Sequence, residues 1–131
     1  MSTTALRAAT WRWGPVIAWM VLIFVLSAQP GLRVSSDDAV DGPLRQIAHV
    51  VIYAGLAALL ARALAWKGEV TVMVMAAAFG LALLYGVTDE LHQSIVPDRT
   101  GQVADLVWDG AGALIGVIAA RFAWPLVRRW S

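Results

Sequence analysis

The chain has 131 residues, 60% of them hydrophobic, with seven tryptophans, no cysteine and a formal net charge of +1. That length holds one small domain, and the apolar excess over a soluble domain points to lipid as part of its solvent. The near-neutral balance excludes a nucleic-acid footprint, and the missing cysteines exclude disulfides and thiolate metal sites.

The first apolar run, residues 13–28, carries no charge, and Arg7 and Arg12 precede it. It reads as a membrane span rather than a cleaved signal, because its apolar core is long and Leu26-Ser27-Ala28 is a poor small-x-small cleavage site. The connection over residues 27–43 is rich in Gly, Pro, Ser and Asp, and is expected to be irregular apart from a short helical turn. The second run, residues 46–65, is broken only by His49 and Arg62. Ala54, Ala58, Ala61 and Ala65 line one of its faces, which suits close helix packing in lipid. The third run, residues 70–88, has no charged side chain. The fourth, residues 103–124, contains Asp105, Asp109 and Arg121, with Gly112 and Gly116 as a small-xxx-small pair. A bilayer core of about 30 Å needs roughly 20 apolar residues at helical rise, so each run can span. Trp11, Trp13, Trp66, Trp108, Trp124 and Trp130 fall near the ends of the runs, where an amphipathic ring suits the headgroup layer. The expected fold is therefore all-α, an integral membrane bundle of four transmembrane helices.

Charge asymmetry gives the expected orientation. Arg7, Arg12, Arg62, Lys67, Arg121, Arg128 and Arg129 fall on one side, against Arg33, Arg45 and Arg99 on the other. The positive-inside rule then places both termini in the cytoplasm. The expected layout is a cytoplasmic segment over residues 1–12, a four-helix domain over 13–124 and a basic tail over 125–131. All the carboxylates except Glu69 lie on or near the outer side.

Three stretches bring polar side chains to that outer level. Arg45, His49 and Tyr53 stack at i, i+4 spacing in the second run. Asp89, Glu90, His92 and Gln93 close the third. Arg99 lies in the short loop ahead of Asp105 and Asp109, which share a face of the fourth. An ionised carboxylate inside a span costs several kcal/mol unless paired or hydrated, and Arg45, Arg99, His49 and His92 are the available partners. Such a cluster can bind a charged headgroup, coordinate a cation or carry out acid/base chemistry. Each residue also has a plainer reading. The groups closing the third run can face water, His49 can be a hydrogen-bonded packing histidine, and Tyr53 and Tyr85 can be interfacial anchors. Asp105 and Asp109 can simply hold helices together. No HExxH or similarly tight ligand spacing occurs, so neither a metal nor any other cofactor is expected. Ser35, Ser36 and Ser94 sit in no nucleophile elbow.

The segment from Asp89-Glu90 through His92-Gln93 to Pro97-Asp98-Arg99, followed by Asp105 and Asp109-Gly110-Ala111-Gly112, closely resembles the VanZ-like family. Its hallmark is a DE-x-x-Q segment, a P-x-R turn, an aspartate and a D/N-x-x-G pair. Ser27-Ala28-Gln29-Pro30 resembles the family's S-x-x-P element, and His49 with Tyr53 its H-F-x-x-Y element. The chain departs from the family at Arg45-Gln46, where Asp-Lys is frequent, at Val50 for phenylalanine and at Asp98 for glycine. The resemblance implies a four-helix integral membrane domain, a multi-pass cell-membrane location in bacteria and a link to low-level teicoplanin resistance or envelope-lipid handling. The partners it implies are membrane lipids and a lipid-linked envelope precursor or lipoglycopeptide; oligomerisation stays open. On this reading Arg45 and Arg99 meet phosphate or carboxylate, while His49, Tyr53, Asp89, Glu90, His92, Gln93, Asp105 and Asp109 shape the pocket. The alternatives are an intramembrane hydrolase-like enzyme, with His92 as acid or base oriented by Asp89 or Asp105, and a small transporter.

Overall fold

The computed structural model describes residues 2–98 and 102–127. They form four helices: α1 (Thr3–Ser27), α2 (Asp38–Ala65), α3 (Val72–Gln93) and α4 (Val103–Val127). All four are long and apolar enough to cross a membrane, since the shortest rises about 33 Å against a hydrocarbon core of about 30 Å.

All four helices begin or end beyond their apolar runs, and local chemistry explains three of them. Ser2 caps α1 by accepting from the Ala5 amide at 3.3 Å, so helix continues through residues 3–12 ahead of the lipid-like stretch. Asp37 caps α2 by accepting from the Ala39 amide at 2.9 Å, and Asp38 and Asp41 sit in the first turn, where acidic groups favour the helix dipole. The irregular connection is thus shorter than the sequence suggests. Asp41 orders it by accepting from the amides of Val34 at 2.7 Å and Ser35 at 3.0 Å, and Arg33 pairs with Asp38. α3 runs on past residue 88 to Gln93, which turns Asp89 inward to a buried position. In the α3–α4 turn, Asp98 takes a φ of 59°, a left-handed conformation that aspartate tolerates better than most residues. The glycine frequent there in the family fits the same backbone.

The tightest seam joins α2 and α4. A Cβ built on Gly112 would lie 2.3 Å from the Val50 carbonyl oxygen, and one on Gly116 would lie 2.2 Å from that of Ala54. The two backbones are therefore in direct contact over one helical turn, flanked by the fully buried Leu56, Ala57, Ala61 and Ala113. α3 packs on both of these helices, and α1 lies against α2 and α3, away from α4. Two aromatic hydrogen bonds tie α1 in: Trp19 Nε1 donates to the Ile52 carbonyl at 2.9 Å, and the Tyr85 hydroxyl donates to the Met20 carbonyl at 2.6 Å.

At the basic end, arginines and tryptophans satisfy carbonyls that lack a helical donor: Ala63 in the last turn of α2, Trp11 opposite the N–H-less Pro15, and Gly68 and Val70 in the α2–α3 connection. Arg12 donates to Ala63 at 2.7 Å, Arg62 to Trp11 at 2.9 Å, Trp124 to Gly68 at 2.7 Å, and Arg121 to Val70. The Arg12 guanidinium also lies 5.2 Å from the Trp13 ring centre and 5.9 Å from that of Trp66. The carboxylate-rich groups occupy the opposite end of the bundle.

Candidate functional site

At that opposite end, the C-terminal turns of α1 and α3 meet the N-terminal turns of α2 and α4. Alternating helix direction alone brings Ser27, Asp89, Glu90 and Gln93 to the level of Arg45, His49, Asp105 and Asp109. Asp89, Gln93, Asp105 and Asp109 are all buried, Asp109 completely.

His49 is the centre of the arrangement. Its Nδ1 donates to Asp109 Oδ1 at 2.6 Å, and its Nε2 stands 3.8 Å from Asp105 Oδ2. Arg45, one turn earlier on α2, reaches the same Asp105 oxygen from 3.4 Å. The i, i+4 spacing of Arg45 with His49 thus matches that of Asp105 with Asp109, so two cationic-side groups face two aspartates across the α2–α4 seam. Tyr53 completes the α2 row with its ring parallel to that of His49, the centroids 6.4 Å apart. Its hydroxyl is buried without a hydrogen-bond partner. Gly86 on α3 makes the room: a Cβ there would lie 3.1 Å from Asp109 Oδ2 and 3.3 Å from the Tyr53 ring.

Asp89 is held separately. Ser27 Oγ donates to its Oδ1 at 2.5 Å, and Gln93 Nε2 to its Oδ2 at 2.9 Å. Beside it, a cavity of about 140 Å³ lies among α1, α2 and α3. Ser27, Arg45, His49, Tyr53, Asp89 and Gln93 line its polar side; Ile23, Leu26, Leu32, Val34 and Ile52 line the other. Ser27→Ala should cost about 1.5–3 kcal/mol, because a buried charged acceptor loses one of its two donors. Titration of unfolding with SDS in mixed micelles would measure this. Unchanged stability would mean that water replaces the hydroxyl.

The two histidines part company. His92 stacks on Phe24 with ring centroids 4.5 Å apart, and its Nδ1 is buried without a hydrogen-bond partner. It makes no hydrogen bond to Asp89 or Asp105 among the described residues, whereas His49 lies between two aspartates. Glu90 points toward His49 and Asp109, with both oxygens out of contact with solvent and unbonded. Arg99 lies outside the described residues. Ser27 and Gly86 belong to the site without standing among the candidate residues the sequence suggests. Ser27 had a signal, the S-x-x-P element; Gly86 had none.

A four-span bundle with a buried cluster of carboxylates, histidine and arginine at one end defines a multi-pass membrane protein with a polar site set between its helices. The chain belongs to the VanZ/LLP1 family, whose family model matches residues 13–124. No curated protein and no solved structure matches it.

Proposed function

We propose that this VanZ-like protein recognises the anionic headgroup of a lipid-linked or lipid-tailed envelope molecule in the cell membrane. The observation that carries this reading is the two-sided cavity beside Arg45, with ionisable groups on one wall and aliphatic side chains on the other. Arg45 supports it further, because its side chain keeps 34% of its surface exposed while its aspartate partner keeps 6%. The guanidinium has five donors in a planar fork, and only one of its nitrogens faces Asp105, so others are available to a phosphate or carboxylate. An acyl chain would find an apolar groove of about 390 Å³ between α1 and α3, lined by Val16, Ile17, Met20, Leu81 and Leu84. The family's link to teicoplanin fits such a ligand, since that molecule carries a lipid tail and acts on cell-wall precursors.

The test is binding of a polyprenyl phosphate and of teicoplanin to the purified full-length chain in detergent, beside susceptibility of a sensitised host expressing it. Arg45→Gln should weaken binding by about 1.5–3 kcal/mol, roughly tenfold or more, and reduce the phenotype at matched membrane levels. Wild-type affinity in that variant for both ligands would sink the reading.

One observation favours a second reading, in which the cluster performs acid/base chemistry on the same ligand. His49 is oriented through Nδ1 by a buried aspartate, as a general base is held by its orienting group. In that case His49 is the proton-transfer residue, and His92 is not. His49→Gln would then leave ligand binding in place and abolish its conversion.

A further inference from the structure

We infer that His49, Glu90 and Asp109 form a binding site for a divalent cation at the polar end of the bundle. One ligand atom from each residue lies within 4.8 Å of the other two. Ligands of an ion with bonds of about 2.1 Å stand about 3.0 Å apart when cis in an octahedron and about 3.4 Å apart in a tetrahedron, so the three side chains would draw together around an ion by up to about 1.4–1.8 Å. The three donors come from α2, α3 and α4, which together form the packed core of the bundle and fix the ligands on rigid elements.

Observations beyond the grouping itself point to a ligand. Asp109 is 0% exposed, yet its Oδ2 has no hydrogen-bond partner. Both oxygens of Glu90 are also shut away from solvent and unbonded, and so is the hydroxyl of Tyr53, itself 1% exposed. Buried polar atoms are nearly always satisfied, so several orphans around one spot mark a missing partner. Two carboxylates facing each other here repel, and among the described residues no arginine reaches between them: Arg45 lies against Asp105 instead. A divalent cation answers the orphaned oxygens and the repulsion together. Gly86 keeps the space beside Asp109 Oδ2 open, since a Cβ there would stand 3.1 Å from that oxygen.

The donor set names the class of ion. One imidazole and two carboxylates, with no thiolate, suit Zn²⁺ or Mn²⁺ rather than a soft ion. Three protein ligands leave coordination positions open, as in sites that bind an exogenous oxygen ligand. A cavity of about 260 Å³ between α3 and α4, lined by Val87, Glu90, Ser94 and Leu106, gives the ion a way in. The inference stands independently of the headgroup reading.

The experiment uses the purified full-length chain in detergent, stripped with a chelator and then exposed to Zn²⁺ or Mn²⁺ alone. Elemental analysis after desalting should give about one ion per chain, with a metal-dependent rise in melting temperature. Glu90→Gln should abolish both and keep wild-type helicity, because the side chain of Glu90 holds no hydrogen bond among the described residues. Arg45→Gln should weaken headgroup binding and retain the ion, which separates failure of one proposal from failure of the other. Wild type that takes up no more ion than Glu90→Gln would overturn the inference. A Glu90→Gln chain that is more stable than a metal-indifferent wild type would overturn it too, by showing that a shared proton joins the carboxylates.

Discussion

Gly116→Val is expected to cost the protein most of its folded population. A Cβ at that position would stand 2.2 Å from the Ala54 carbonyl oxygen and 2.8 Å from its carbonyl carbon and Cα. These are backbone atoms inside a helix, so no side-chain rotation relieves the clash, and α2 must move away from α4. The same movement opens the contact at Gly112, where Val50 stands equally close. It also separates His49 from Asp109, a pair 2.6 Å apart on the same two helices. Overpacking a tight core costs about 1–3 kcal/mol. Here the lost seam and the broken polar pair add to it, so a total above about 3 kcal/mol is expected. Gly80→Ala is the control, because a Cβ at Gly80 meets nothing within 4 Å. It should be neutral or stabilising by up to about 1 kcal/mol through helix propensity. SDS-titration unfolding of both variants checks the contrast. Equal stability would mean that the α2–α4 contact is not the seam that holds the bundle together.

The small-xxx-small pair was legible in the sequence, and so were the four helices. Predominantly apolar runs of about 20 residues admit few other structures in lipid. Helix ends were less legible because hydropathy marks where lipid stops, not where hydrogen bonding stops. Residues 3–12 are half polar, with Arg7 and Arg12 among them, yet remain helical behind the Ser2 cap. Asp37, with Asp38 and Asp41 close behind, was a start signal of the ordinary kind, but it lies ahead of the apolar residues and so escaped a reading by hydropathy. The mixed face of alanines on α2 was only partly predictable. Ala57, Ala61 and Ala63 are fully buried, while Ala54 earns its place by backbone approach to Gly116.

Within the site, periodicity along one helix was readable and pairing between helices was not. Spacing placed Arg45, His49 and Tyr53 on one face and Asp105 and Asp109 on another, and the structure sets those faces against each other. Nothing in the spacing chooses between His49 and His92 as the partner of an aspartate. That choice depends on helix rotation about the bundle axis, which here turns His92 toward Phe24 on α1. The gathering of His49, Glu90 and Asp109 is hidden for the same reason: each comes from a different helix, so no short ligand motif exists. Tyr53 and Tyr85 look alike as aromatic residues near the end of a span. One is enclosed in the bundle, and the other tethers α3 to α1 through Met20.

His49→Ala should destabilise the protein by about 3–5 kcal/mol, the usual result of removing one partner of a buried polar pair. The loss is large because of what remains. Asp109, fully buried and already with one unbonded oxygen, would keep no partner at all, and Asp105 and Glu90 would lie nearby. Adding Asp109→Asn removes that uncompensated charge at nearly constant volume. The double variant should therefore recover part of the loss and unfold later than His49→Ala alone, with a coupling of about 0.5–3 kcal/mol. Unfolding titrations of the four members of the cycle measure it directly. Additive losses would show that the two side chains do not depend on each other and that water already solvates Asp109. Recovered stability without recovered ligand binding or host phenotype would show something else. The pair would then be kept for what it does to a ligand, since an apolar or neutral pair at the α2–α4 seam holds the helices as well.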